Sequence, residues 1–425
     1  MRVGGSVQVP GDKSITHRAL LFSALAEGTS RVGGALTSLD ARSTARVLRQ
    51  LGARISPLRD GVTVSATGKG RLRAPAGVLD CGNSGTTARL LLGLLAGHRI
   101  RATLTGDASL RKRPMRRVTV PLSRMGARFE EGEADGLPLT VRGGTLAPLR
   151  YEMPVSSAQI KSAILLAGLA GNVQVDVCEP HGRSRDHTER ILRAFGYEVI
   201  EDNGWVGFRP GGRIEPFELQ VPGDPSSAAF LAGAAILADA GELRIIRVGV
   251  NPTRTGFLAV LRRMGATVAA EAVTDHFGEP VADLIVRPAV LHGTEVMAAE
   301  IPALIDEIPL LAVLASRAAG TTVFRGVGEL RVKESDRLSL IAENLRAVGG
   351  RSEVAGDDLF VEGVTQPPAG LVRSKGDHRM AMAFAVLGTV DGARVRVDDT
   401  ACAAVSFPRF TEALRGIRRR SGGDR

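Results

Sequence analysis

The sequence predicts an α/β protein of two domains, each assembled from three copies of one repeating unit. Three observations carry this. The chain has 425 residues, 44% of them apolar, which is longer than a single hydrophobic core sustains and rich enough in apolar side chains to fill two. A helix-like apolar run that stops near a glycine and continues into a β-rich stretch recurs six times. The pentapeptide QVPGD occurs twice, ending at Asp12 and at Asp224.

The six junctions are LLFSALAEGTSRV, LLLGLLAGHRI, ILLAGLAGNVQV, FLAGAAILADAGELRI, LLAVLASRAAGTTV and AFAVLGTVDGARV. Their glycines, Gly28, Gly97, Gly171, Gly241, Gly320 and Gly392, are spaced by 69 to 79 residues. Each predicts a helix closed by a left-handed glycine and followed by a strand. A second junction runs in phase: VLRQLGARI, PLSRMGARF, ILRAFGYEV, VLRRMGATV and NLRAVGGRS, with a degraded sixth in EALRGIRRR. Every repeat therefore holds one apolar helix, expected to be buried, and one amphipathic helix with its arginines outward. Such alternation predicts α/β layers. Units of about 70 residues exceed solenoid repeats, so three per globular domain is the expected packing. The twin QVPGD segments then mark crossings of the chain between a domain of residues 12–224 and one of residues 1–11 plus 225–425. The expected hinge is two-stranded, near 11–13 and 222–225. Asp12 and Asp224 suit the caps of the helices that follow.

Composition narrows the function. A net charge of +10 invites a nucleic-acid reading. Aromatic residues, however, are only 4% of the chain and do not interleave with the basic stretches, so platforms for stacking bases are missing. Small anionic substrates are the better use of this charge. No apolar run follows a basic start, and none of about 18 residues occurs, so a secretion signal and a membrane span are not expected and the cytoplasm is the expected compartment. Cys81, Cys178 and Cys402 lack CxxC spacing and neighbouring histidine pairs, which argues against a disulfide framework or a zinc site. Six lysines stand against 49 arginines. Lys13, Lys161 and Lys333 lie inside motif-like stretches and are candidates for a compact, deprotonatable ammonium.

Chemistry-bearing residues gather at the helix starts. In PGDKSITHRALL, Lys13, Ser14 and Arg18 occupy the first turns, where free N–H groups and the positive dipole end attract anions. DCGNSGTTARL leads through Gly82, Asn83, Ser84 and Gly85 into a second helix, a nest for phosphate or carboxylate that lacks P-loop spacing. In the basic run RKRPMRR, Pro114 fixes the backbone beside Arg113 and marks it as the inward residue. SSAQIKSAILL brings Ser156, Ser157, Gln159 and Lys161; GRSRDHTERIL brings Ser184, Arg185, Asp186, His187 and Glu189. Asp306 and Glu307 stand inside the apolar run of IPALIDEIPLLAVLA, where a carboxylate is costly unless paired or functional. ELRVKESDRL groups Glu329, Lys333, Glu334 and Arg337, and GDHRMAM holds Asp377, His378 and Arg379. Lysines, carboxylates and arginines in this number supply acid–base groups and bidentate anion clamps.

Taken together, PGDKSITHRAL, GNSGTTARL, SAQIK, RDHTER, PGDPSSAAF, DEIPLLAV, RVKESDR, GDHRMAMAF and SFPRF resemble 5-enolpyruvylshikimate-3-phosphate synthases from about residue 4 to 415. GDKS, SAQIK, RDHTE and NPTR resemble the glyphosate-tolerant class II branch. The resemblance implies a two-domain inside-out α/β barrel of six βαβαββ-type units, and transfer of the enolpyruvyl group of phosphoenolpyruvate to the 5-hydroxyl of shikimate 3-phosphate. The two substrates bring roughly five negative charges to the site, in keeping with the density of cations. By the same resemblance, Lys13, Ser14, Arg18, Ser157, Gln159, Arg185, Asp306 and Lys333 hold shikimate 3-phosphate. Lys13, Gly85, Arg113, Gln159, Arg337 and Arg379 hold phosphoenolpyruvate. Asp306 removes the 5-hydroxyl proton; Glu334, with Lys13, supplies and later removes the methylene proton. No cofactor or metal is implied, and a monomer without nucleic-acid or membrane partners is expected.

Two departures stand out. Many members have lysine where Val405 precedes Ser406, and some have asparagine where Glu329 stands. Two rivals predict different outcomes. A UDP-N-acetylglucosamine enolpyruvyl transferase would carry a reactive cysteine in the loop corresponding to GDASLRKRP, which has none. A non-catalytic RNA-binding α/β repeat protein leaves Asp306 and Glu334 without a purpose.

Overall fold

The computed structural model describes residues 1–59, 61–68, 71–132, 135–180 and 182–419. Two α-helices fall in each repeat. They are α1 (Lys13–Leu25) and α2 (Leu39–Gln50), α3 (Gly85–Ala96) and α4 (Arg116–Arg124), α5 (Ala158–Gly171) and α6 (His187–Ala194). The second half holds α7 (Pro225–Ile236) and α8 (Gly256–Arg263), α9 (Ile308–Ala315) and α10 (Arg337–Ala347), α11 (His378–Leu387) and α12 (Phe410–Gly416). The first helix of each pair is the buried one: α7 and α9 bury every residue, and α1 buries all but Lys13. The second is amphipathic, as its alternating arginines and aliphatic residues dictate.

Among the described residues the strands form six sheets. In the second repeat, Leu79–Asp80 runs parallel to Arg101–Thr105, which pairs antiparallel with Leu139–Arg142, itself antiparallel to Arg128–Glu131. The third and fifth repeats follow the same βαβαββ order. The first and fourth depart from it in a reciprocal way. The strand Arg2–Gln8, which leads into α1, pairs parallel with Ala240–Gly249 in the fourth repeat's sheet. The strand Glu218–Gln220, which leads into α7, pairs parallel with Glu27–Gly33 in the first repeat's sheet. The two strands ahead of VPGD have thus exchanged sheets. The sixth sheet keeps two strands, Ala369–Val372 and Arg394–Val397, while Arg418–Arg419 pairs with Arg2–Gln8. Arg420, the last residue of EALRGIRRR, lies outside the described residues.

The chain forms two compact units. One comprises Met1–Pro10, Pro222–Asp275 and the chain from Pro280 on; the other comprises Gly11–Val221 and His276–Glu279. The passages fall at 10–11 and 221–222 because the backbone is bonded that way. Gly223 donates to the Arg247 carbonyl at 2.8 Å and Asp224 to the Pro10 carbonyl at 2.8 Å, while Val221 donates to the Gly33 carbonyl at 2.9 Å. Residues 276–279 join the second unit through Phe277, whose ring lies 5.3 Å from Phe195 and 5.5 Å from Phe217. Each unit has its own apolar core. Asp12 and Asp224 cap α1 and α7, accepting from the amides of Ile15 at 2.8 Å and Ser226 at 2.7 Å.

Of the six glycines expected to turn left-handed after the buried helices, Gly28, Gly241, Gly320 and Gly392 do have positive φ, but they lie three to five residues beyond the helix end, and direct glycine closure is found after the amphipathic helices. Gly97 has φ −84°, and after Gly171 it is Asn172 that turns left-handed. Gly52, Gly126, Gly196, Gly265 and Gly349 all have positive φ. At each of these five the residue after the glycine donates back five positions along the chain, as Ala53 does to the Leu48 carbonyl at 3.1 Å. The pattern satisfies two orphan carbonyls and reverses the chain into the next strand.

Candidate active site

In the unit of Gly11–Val221, three helix starts present the polar side chains that the motifs named. Lys13 opens α1, and its ammonium lies 3.3 Å from Asp40 Oδ2 at the start of α2. Arg18, one turn further, is buried and held on three sides. Its Nε donates to Thr188 Oγ1 at 2.8 Å, Nη1 to the Ser14 carbonyl at 3.0 Å and Nη2 to Ser162 Oγ at 2.5 Å. Burial pulls its guanidinium down to about 10, helped by Arg185 and opposed by Glu189, so it stays charged near neutrality. Arg185 Nη1 donates to Ser14 Oγ at 3.4 Å. Lys13, Ser14, Arg18 and Arg185 therefore belong to one cluster.

A second cluster forms at the starts of α3 and α5. Of the five basic residues between 111 and 117, Arg113 is the buried one. Its Nη2 donates to Asn83 Oδ1 at 2.8 Å and to Ser109 Oγ at 3.3 Å. Gly85 leaves room for it, since a Cβ there would lie 3.3 Å from Arg113 Nη1. Gln159 accepts from Arg89 and donates to Thr86 Oγ1 at 3.0 Å. Arg89 also reaches the Pro114 carbonyl at 3.0 Å. Ser157 takes the N-cap position of α5 without bonding the helix amides through its side chain. Lys161 is fully buried and ion-paired to Glu179 and Glu189.

The C-terminal unit gathers its carboxylates on two arginines. Arg337, wholly buried at the start of α10, donates through Nε to Asp377 Oδ2 at 2.8 Å and through Nη2 to Glu334 Oε2 at 2.6 Å. Its Nη1 donates to Asp306 Oδ1 at 3.3 Å. Burial opposes the charge, but Asp377, Glu334 and Asp306 outweigh it and raise the guanidinium above its usual range. Asp377 is likewise held low by Arg337 against its own burial. Arg379 Nη1 donates to the Asp306 carbonyl at 3.0 Å, and its Nη2 lies 3.4 Å from Asp306 Oδ2. Lys333 lies 3.8 Å from Glu329 Oε1, and burial lowers its ammonium. The unexpected charge of Glu329 is thus countered by Lys333.

Several participants were not singled out from the motifs. Asp40 carries no local signal, because its partner lies 27 residues away. Arg89 had one: it is an arginine inside the apolar run TTARLLL, and the rule that flags Asp306 applies to it equally. The second QVPGD copy does more than begin a helix. Ser226 hydrogen-bonds the Glu307 carboxyl, and Arg254 donates to Asp224 Oδ1 at 3.2 Å and to Ser226 Oγ at 3.0 Å. Burial pushes the Glu307 carboxyl above its usual range.

Comparisons with known proteins place the chain in a family. The family model of EPSP synthase (3-phosphoshikimate 1-carboxyvinyltransferase) matches residues 1–414. A 3-phosphoshikimate 1-carboxyvinyltransferase of Xanthomonas campestris pv. campestris (strain B100) is 48% identical over 415 residues, spanning 97% of this chain and 94% of that one. Another, from Alkalilimnicola ehrlichii, is 48% identical over 410 residues, spanning 96% and 92%. The solved structure of EPSP synthase from Acinetobacter baumannii matches with a TM-score of 0.87 at 40% identity, over 98% of this chain and 96% of that one. The chain belongs to the EPSP synthase (3-phosphoshikimate 1-carboxyvinyltransferase) family.

Proposed function

We propose that this transferase moves the enolpyruvyl group of phosphoenolpyruvate to the 5-hydroxyl of shikimate 3-phosphate with Asp306 as the base and Glu334, with Lys13, as the proton donor. The 5-oxygen adds to C2 of phosphoenolpyruvate while C3 gains a proton, giving a tetrahedral intermediate. Loss of the C3 proton and of phosphate then restores the enol ether. One group must accept a proton and another must deliver one in the first step. Ser14, Arg18, Ser157, Gln159, Arg185 and Lys333 hold shikimate 3-phosphate; Gly85, Arg113, Gln159, Arg337 and Arg379 hold phosphoenolpyruvate. The chain is read as a cytoplasmic monomer acting on these two small molecules, without nucleic-acid or membrane partners. No helix among the described residues is long and apolar enough to cross a membrane.

The observation that carries the reading is the meeting of Asp306 and Glu334 on one buried guanidinium. Asp377 holds Arg337 from the fully buried side, whereas Asp306 and Glu334 are 16% and 22% exposed. A substrate anion reaching Arg337 would displace these two and leave Asp377 in place, releasing an acid and a base beside the substrate. The test is phosphate release from phosphoenolpyruvate with shikimate 3-phosphate, compared with UDP-N-acetylglucosamine as acceptor. Release is expected with the first alone, and Asp306→Asn should lower kcat by about 100-fold or more. No release with either acceptor would overturn the reading.

A further inference from the structure

Lys161 is the motif lysine for which the proposed chemistry has no task. It is the fourth residue of α5, with a fully buried side chain. Its ammonium meets three oxygens: Glu179 Oε2 at 2.8 Å, Glu189 Oε1 at 2.8 Å and the Ser184 carbonyl at 3.2 Å. Two of these contacts are hydrogen bonds and the third, to Glu189, is an ion pair, a set that suits a compact ammonium better than a planar five-donor guanidinium. That geometry accounts for a lysine here in a chain that otherwise prefers arginine.

The cluster grips the backbone next to a proposed substrate residue. Ser184 is held twice, its carbonyl by Lys161 and its amide by Glu179 Oε2 at 3.1 Å. The following residue, Arg185, reaches Ser14 Oγ. Beyond it, Thr188 accepts from Arg18 and donates to Ser162 Oγ at 2.8 Å, beside Lys161. Lys161 is the cation paired with both Glu179 and Glu189, and Glu189 also acts on Arg18. Without Lys161 a buried negative charge would stand uncompensated behind a face proposed to take a phosphate.

We propose that Lys161 is a positioning residue of the shikimate 3-phosphate subsite, fixing the 184–188 segment so that Arg185 and Thr188 meet Ser14 and Arg18 in register. The inference rests on the assignment of Ser14, Arg18 and Arg185 to that subsite. Pairing with Glu189 and Glu179 outweighs burial and keeps the ammonium charged, so the grip persists through the neutral range.

The test compares wild type, Lys161→Met, the charge-conserving double variant Lys161→Met/Glu189→Gln, and Arg185→Ala, all as the full chain. Binding of shikimate 3-phosphate is measured by calorimetry, kcat and both KM values by phosphate release, and folding by thermal melts. The double variant guards against misfolding, because exchanging a buried ion pair for neutral groups of similar volume is often tolerated. Both Lys161 variants are expected to bind shikimate 3-phosphate about 10-fold or more weakly, with KM for phosphoenolpyruvate unchanged. Wild-type binding of shikimate 3-phosphate, an equal or smaller loss confined to that ligand in Arg185→Ala, and the loss in the double variant together support it. A folded double variant that binds like wild type, or that weakens both substrates alike, overturns it. So does failure of both variants to fold, which would make Lys161 a purely structural residue. If Arg185→Ala binds like wild type, the subsite assignment fails first and the inference with it.

Discussion

His17 shows how one buried side chain is held in a chosen charge state. It lies inside α1 with Nδ1 2.6 Å from Thr44 Oγ1. Burial, with Lys13 and Arg18 nearby, lowers it from 6.5 to about 3, so it is neutral in the folded protein wherever the site is to work. The unfolded chain takes up this proton below 6.5 and the folded one only near 3, so stability falls as pH drops through that window and is unaffected above it. In His17→Gln, urea unfolding between pH 6 and 4 should lose about one proton of pH dependence, a slope of about 1.4 kcal/mol per pH unit. An unchanged slope would mean that His17 is protonated in the fold. Arg337 and Lys161 show the opposite solution: they remain charged in the interior because carboxylates surround them. Of these residues, Arg337 and Lys161 could be singled out from their local motifs. Asp377's bond to Arg337 could not, because it spans 40 residues of chain.

At the scale of the elements, the buried helices pack closely enough that glycine is required where they touch. In α3, a Cβ at Gly93 would lie 2.1 Å from the Ala163 carbonyl oxygen of α5. That neighbour is backbone and cannot swing aside. Intrinsic helix propensity favours Gly93→Ala by about 1 kcal/mol, whereas overpacking costs about 1–3 kcal/mol. The variant is expected to melt lower than wild type, and a higher midpoint would show that α3 and α5 can part at little cost. The same elements mark what periodicity conveys. Two helices per repeat, one buried and one amphipathic, follow from the spacing of apolar residues and arginines. How each helix end itself is closed does not, because asparagine or an ordinary cap serves as well as a left-handed glycine, as after α5 and α3.

For the whole molecule, the twin QVPGD segments end two leading strands that each pair in the sheet of the other's repeat. The copies share what a helix start needs, the capping aspartates of α1 and α7. They differ in the chemistry each helix start supports. Lys13, Ser14 and Arg18 belong to the proposed substrate face, and Asp224 with Ser226 joins Arg254 and Glu307. Two of the four motifs that resemble the class II branch, SAQIK and NPTR, contribute the buried cations Lys161 and Arg254. Because GDKS, SAQIK, RDHTE and NPTR resemble that branch, tolerance to glyphosate is expected, measured as an inhibition constant against phosphoenolpyruvate well above that of sensitive enzymes. A constant as low as theirs would refute it.

By itself the sequence determined the α/β class, the six repeats, the two helix types and the residues at the helix starts, because periodicity, capping and local motifs act over a few residues. The tertiary structure decided which sheet each leading strand joins and where the chain passes between the two units. It also decided which charges are paired: Lys13 with Asp40, Arg89 with Gln159, Lys161 with Glu179 and Glu189, and Asp306 with Arg337. These outcomes depend on contacts between residues tens to hundreds of positions apart, which backbone propensity does not encode. They are settled only when folding brings each buried charge within reach of its partners.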